Sequence, residues 1–287
     1  MVKKTSNRKE LLALVLFSLI IGLGYDIGGI AVQKANPFLL LSLEYLIALL
    51  FMFAIRGGKV ADVKSIRPSF AFGIATFVGL GLSYESLYFI PAPLVAFLTS
   101  LGFVFTVVIE RLAFSRKVSK NLLSAIILSF LGLTLIFFSN GFDVNLGSNL
   151  AIGSILCLIA SVAFGFQYIV GSRMTNKLDP IISSFYASVL ICIVSFVFFE
   201  IQNPFTFPSI SISALPYFLY LAIFATAIAR ILQFFGQKKV PATTTSLIFN
   251  LIPIFALVIG IFFGQSLNSL QIMGSFLILC ADVVILR

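Results

Sequence analysis

Ten apolar runs, each close to the length of a membrane-crossing helix, follow one another and leave no stretch long enough for a separate soluble domain. They fall at 11–32, 38–55, 69–90, 93–112, 121–139, 149–171, 180–200, 214–236, 241–263 and 270–286. A helix needs roughly 20 apolar residues to cross the hydrocarbon core. Lipid offers the backbone no hydrogen bonds, so only helices or a closed barrel can span it. A barrel strand alternates apolar and polar residues. These runs are continuous, which excludes the barrel. The expected fold is an all-α membrane protein of ten transmembrane helices. Composition agrees, because 60% hydrophobic and 10% charged residues in 287 is more apolar surface than a soluble domain can hide. The first run follows Lys3, Lys4, Arg8 and Lys9, the layout of a signal peptide. It is too long for one and lacks a small-residue cleavage site, so it counts as a span.

The last two runs repeat a design met 150 residues earlier. Ile90-Pro91-Ala92 matches Val240-Pro241-Ala242, Leu101 matches Leu251, Phe105 matches Phe255 and Ser119 matches Ser269, with no gap from Ile90 to Leu286. Laying Pro37 on Pro180 matches spans one and two with six and seven, so that Lys34 meets Lys177 and Tyr25 meets Tyr168. The halves divide near 141–148, giving one five-helix repeat over 1–140 and a second over 149–287. Five is odd, so the second repeat enters the bilayer from the opposite side. Transporters use such an inverted repeat to build two mirror-related states around a central site.

Seventeen of the nineteen basic residues, all but Lys34 and Arg230, lie at one set of span ends. By the positive-inside rule both termini and every even-numbered loop are expected in the cytoplasm, with the protein in the cell membrane. Attraction to the membrane surface accounts for the net charge of +9, so no nucleic-acid partner is implied. Cys157, Cys192 and Cys280 lie inside apolar runs and read as small hydrophobes. The chain has no His, no metal-ligand spacing and no phosphate loop. No metal, cofactor or catalytic residue is expected.

The five-plus-five plan, Pro253 in span nine, Gly264-Gln265-Ser266-Leu267 and Gln271-Ile272-Met273-Gly274 together resemble the EamA-type repeat of the drug/metabolite transporter superfamily. Three residues depart from that pattern. Gln265 and Ser115 stand where the family usually has Glu, and Phe103 stands where the second half has Pro253. The resemblance implies a carrier for small metabolites, often an amino-acid exporter, with a central cavity between the halves.

Five ionisable residues lie within the spans: Asp26, Glu44, Glu85, Arg230 and Asp282. Each costs about 2.5–3.5 kcal/mol at helix centre on insertion scales, so something must offset it. Thr226, Arg230, Gln233 and Gln237 make one polar stripe on span eight. Arg230 and Asp282 share the inner half and can pair across spans eight and ten. Alternatively, Arg230 faces a cavity and binds a carboxylate with its planar fork. Asp26, Glu44 and Glu85 lie in the outer half without a comparable base and are the candidate proton carriers. Gly22, Tyr25, Asp26 and Gly29 share a face of span one, and Gly81, Tyr84, Glu85 and Tyr88 repeat that spacing on span three. Asn250, with Thr243 and Ser246 on the same face, precedes Pro253, and Ser100 is its match in span four. Gln167 and Tyr168 extend the set on span six. The candidate substrate-binding residues are therefore Tyr25, Tyr84, Tyr88, Ser100, Gln167, Tyr168, Arg230 and Asn250.

These residues point to a secondary transporter exporting a small organic metabolite, such as an amino acid, by alternating access. It would work as a monomer or homodimer, with proton coupling through the acids. A drug or nucleotide-sugar exchanger of the same fold is one alternative. An intramembrane lipid-modifying enzyme is another, disfavoured by the missing catalytic groups and the short loops.

Overall fold

The computed structural model describes residues 8–32, 35–59, 62–86, 88–90, 92–115, 118–139, 148–175, 178–204, 215–262 and 268–286; within these, side chains at 25, 26, 29, 30, 32, 92–94, 148, 149, 260 and 262 lie outside the description. The described residues are all-helical. Span one is Arg8–Val32, span two Pro37–Ile55 and span three Val63–Ser86. Span four is two helices, Ala92–Ser100 and Gly102–Phe114, and span five is Lys120–Phe138. Spans six and seven are Ser148–Thr175 and Pro180–Gln202. Span eight runs from Leu215 to Gln237 through a π-helical stretch, Leu221–Ile228. Span nine is again two helices, Ala242–Ile248 and Leu251–Phe262, and span ten is Ser269–Leu286. Nine described stretches are long and apolar enough to cross a membrane. Span one, 25 residues long, supplies the tenth.

Local chemistry starts these helices in matched ways. The Asn36 side chain accepts from the backbone N–H groups of Phe38 and Leu39, ahead of Pro37 at the first helical position. Asp179 accepts in the same way from Ile181 and Ile182, ahead of Pro180. A side-chain acceptor followed by proline satisfies the free N–H groups of the first turn and presets its backbone. Span ten opens on a reciprocal cap, in which Asn268 Oδ1 accepts from the Gln271 N–H and Gln271 Oε1 accepts from the Asn268 N–H.

Packing carries the repeat into three dimensions. Span one lies against spans eight and nine, and span six against spans three and four. Span two packs on eight as seven packs on three. The pairs two–seven and five–ten meet their own counterparts. Exchanging the repeats therefore returns each of these pairs. Single atoms obey the same exchange. A Cβ on Gly22 would meet Phe255 Cβ, the Ile252 carbonyl and the Ala256 nitrogen, and a Cβ on Gly165 would meet Phe105 Cβ, the Gly102 carbonyl and the Thr106 nitrogen. Each glycine lets two helix backbones approach, the usual device where lipid supplies no hydrophobic drive between helices.

The division of spans four and nine into two helices each departs from the continuous spans expected. The breaks fall within two residues of matched positions, after Ser100 and after Ile248. Pro253 does not cause its break, because it sits in the first turn of the following helix, where a missing N–H costs nothing. Phe103 occupies the matching place in span four, which breaks all the same. Side chains from the other repeat bond to carbonyls at the breaks. Ser161 Oγ donates to the Leu98 carbonyl, and Ser18 Oγ donates to the Ile248 carbonyl at 3.3 Å. Ser18 and Ser161 are themselves matched, as are Leu98 and Ile248.

Candidate functional site

The polar stripe of span eight is buried along its whole length: Thr226, Arg230, Gln233 and Gln237 are all within the core. It begins inside the π-helical stretch and continues down the α-helical turns that follow. One extra residue per turn rotates the chain below it, and such bulges are frequent at functional sites. Around Arg230 the partners are well defined. Nη1 donates to Gln233 Oε1 at 2.6 Å, and Nη2 donates to the Tyr45 hydroxyl at 2.9 Å. The guanidinium carbon stands 5.2 Å from the centre of the Phe72 ring. Gln233 Nε2 donates to Gln167 Oε1 at 3.4 Å, and Gln167 Nε2 donates to Thr76 Oγ1 at 3.0 Å. The network joins spans two, three, six and eight at the centre of the bundle.

Arg230 and Asp282 are not paired. Among the described residues the cation has only neutral hydrogen-bond partners and forms no ion pair. Both Asp282 oxygens are enclosed without a donor. Asp282 is instead buried on span ten, the helix that packs chiefly on span five. The open alternative for Arg230 is thus decided against the span-ten partner.

Glu44 joins the site, one turn along the stripe. It is 3% exposed, and Thr226 Oγ1 lies 3.5 Å from its Oε2. Its Oε1 has no hydrogen-bond partner. Glu44 and Tyr45 are adjacent in span two, so one helical turn presents an acid toward Thr226 and a hydroxyl toward Arg230. The site therefore holds one acid and one cation, separated by neutral groups.

Other expected site residues fall elsewhere. Glu85 Oε1 accepts from Gln202 Nε2 at 2.9 Å, tying spans three and seven at the end away from the basic loops. Tyr84 packs in an aromatic cluster with Phe38, Tyr45 and Phe77. Tyr88 does not continue the face of Tyr84 and Glu85, because the helix stops at Ser86; it lies in a turn, 63% exposed. Ser100 donates to the Ala96 carbonyl of its own helix. Tyr168 stands edge-on to Phe249, and its carbonyl accepts from Gln237 Nε2. Asn250 lies at the break of span nine, buried, with its amide nitrogen unpartnered. The side chains of Tyr25 and Asp26 lie outside the described residues. Tyr45, Thr76 and Phe72 complete the site without having been singled out in the sequence. Tyr45 carried one signal, its place beside Glu44.

The comparisons with known proteins bear on the same scaffold. The model of the EamA-like transporter family matches twice, over residues 8–138 and 151–287. The chain belongs to the EamA-like transporter family. An uncharacterized transporter of Archaeoglobus fulgidus is 27% identical over 275 residues, covering 96% of this chain and 84% of that protein. The uncharacterized transporter YyaM of Bacillus subtilis is 22% identical over 214 residues, covering 72% of this chain and 67% of its own. A crystal structure superposes with a TM-score of 0.79 at 15% identity, covering 98% of this chain and 96% of the other, which establishes the shared fold. This EamA-like chain is a multi-pass membrane transporter of two five-helix repeats.

Proposed function

We propose that this transporter is a secondary carrier that exports a small organic solute bearing a carboxylate, with amino acids as the fitting class. The observation that carries the reading is Arg230: a buried guanidinium held, among the described residues, only by neutral acceptors. Guanidinium has five N–H donors, and two are used here. A carboxylate docking on the remaining ones would gain a bidentate, charge-assisted contact and give the buried cation its missing counter-charge. Gln167 and Gln233 would orient that carboxylate, and Tyr45 would fix the guanidinium plane. Glu44 supports proton coupling from within the same site. Asp26 and Glu85 remain candidates nearer the opposite surface.

The broken spans support alternating access by rocking of the repeats about a central site. The loop charges support termini and even-numbered loops in the cytoplasm of a cell-membrane protein. The repeats divide between residues 140 and 149 in this reading, and the unit that transports is a monomer or a homodimer. The test is efflux and counterflow of labelled L-amino acids from proteoliposomes. Saturable movement of at least one amino acid, abolished in R230Q, is the expected result. Transport confined to apolar cations would overturn the reading.

A further inference from the structure

We infer that Glu44 is the ammonium-binding acid of the site, so that binding one zwitterionic amino acid expels one proton from it. The inference rests on the carboxylate-at-Arg230 reading and adds the second half of the ligand and the sign of the coupling.

Three observations lead there. Glu44 is 3% exposed, and the only donor it meets among the described residues is Thr226, at the limit of hydrogen-bond distance. Its other oxygen has none. An ionised carboxylate left so bare inside a membrane span is far costlier than a carboxylic acid, so Glu44 without a cation beside it keeps its proton. Thr226, which touches Glu44, and Arg230 are four residues apart on one face of span eight. At 1.5 Å per residue that is about 6 Å along the helix. An α-amino acid carries its ammonium and its carboxylate on one carbon, so with a hydrogen bond at each end it can bridge groups one helical turn apart. With its carboxylate on Arg230, its ammonium lies toward Glu44.

The exchange then balances. Glu44 in its acid form gives its proton to bulk water, and its carboxylate takes the ammonium N–H donors. The ligand keeps its own charge, and the site goes from net positive to net neutral plus a zwitterion. A simple monocarboxylate would do the reverse: with no ammonium to offer, it binds best while Glu44 keeps its proton. Linkage requires that the proton and the ammonium weaken each other's binding equally. Inward protons would thus drive amino acids outward.

Apart from Arg230 on span eight, the charged groups on the elements around Glu44 lie at helix ends or on span one. Span two ends at Arg56, span seven has Asp179 and Glu200, span three has Lys64, Arg67 and Glu85, and span one has Arg8, Lys9, Glu10 and Asp26. Of these only Arg230 is in the described network.

The test uses purified full-length protein in weakly buffered detergent with a pH-indicator dye, titrated with neutral L-amino acids and separately with acetate. The wild type should release close to one proton per amino acid bound, and its apparent Kd should tighten with pH by at most about tenfold per unit. E44Q should lose the release and the pH dependence; circular dichroism and the thermal midpoint report whether it is folded. Binding without proton release, or with proton uptake, overturns the inference and leaves the carboxylate reading standing. A failure of every amino acid to bind overturns that reading and this inference with it.

Discussion

Arg230 is the residue on which the site turns, and its geometry makes sharp demands. Its fork reaches Tyr45 on one side and Gln233 on the other. Lysine offers a point charge on a flexible stem and cannot hold both partners in one plane. R230K should therefore fold and insert but bind solute at least about tenfold more weakly, a loss of about 1.4 kcal/mol; a Kd within twofold of wild type would remove Arg230 from the site. A second acid, Glu10, sits where the first turn of span one meets the loop after span eight. Lys239 Nζ lies 2.6 Å from its Oε1. That hydrogen bond is the main reason the Glu10 carboxyl is held below its ordinary value of 4.5. A lowered folded-state value favours the fold in full above the ordinary value and loses that contribution as pH falls below it. Wild type and E10Q should accordingly differ in thermal midpoint at pH 7 and converge below about pH 4.5. Lys239 is 57% exposed, so water screens the pair and the difference should be small. At this scale the sequence announced the stripe and Gln167, because polar side chains at helical spacing in an apolar run have few other uses. It did not announce Tyr45 or Thr76. Tyrosine and threonine are ordinary packing residues in membrane helices, and only tertiary register turns one toward a cation. For the same reason Arg230 and Asp282, plausible partners by depth, prove to face different neighbours.

At the scale of single elements, the matched breaks of spans four and nine matter most. At each break a serine of the other repeat bonds to a carbonyl, Ser161 to Leu98 and Ser18 to Ile248. Each serine's single proton is shared with a carbonyl of its own helix, that of Cys157 or Leu14. S161A and S18A should each lower stability by about 0.5–1.5 kcal/mol, the net worth of one such bond. The two sites share no partner, so the double variant should show the sum, read as a shift in thermal midpoint. A strongly non-additive double would mean the breaks are coupled through the core. Spans five and ten behave differently, as an unbroken seam. A Cβ on Gly132 would lie 2.6 Å from the Gly274 carbonyl and one on Gly274 2.5 Å from the Gly132 carbonyl. Backbone cannot step aside as a side chain can. G132A should therefore cost about 1–3 kcal/mol, and an unchanged thermal midpoint would show that the seam is loose. The ten spans were legible in the sequence because lipid makes hydropathy and helix nearly synonymous. The breaks and the π-helical stretch were not. They change no composition, and they persist through contacts made by helices far away in the chain.

Across the whole molecule, the exchange symmetry of the packing has a consequence for how a carrier of this plan would move. Whatever closes one end of the central site in one state must have a counterpart at the other end in the second state. At the end bearing the basic loops, span one is pressed against the end of span eight. A Cβ on Gly236 would strike the Leu14 side chain and the Glu10 carbonyl, and the Glu10–Lys239 pair lies over this contact. At the opposite end the exchanged contact is span six against the end of span three, where a Cβ on Gly153 would strike Phe89 and Ile90, and beside it Glu85 and Gln202 tie span three to span seven. In a rocking carrier each tie must part once per cycle, while the seam of spans five and ten need not. A protein freed of its three native cysteines and carrying E10C and K239C should lose transport when the pair is joined by a short thiol cross-linker with a reducible bond, and regain it on reduction. The E85C and Q202C pair should do the same. Joining either pair traps the site with one face shut, so solute should still bind from the other face while net flux stops. That split between retained binding and lost flux separates a gate from simple damage. A cross-linked 10–239 carrier that moves solute at the uncross-linked rate would show that this end stays closed throughout the cycle, and the solute would then need a path that does not pass between spans one and eight.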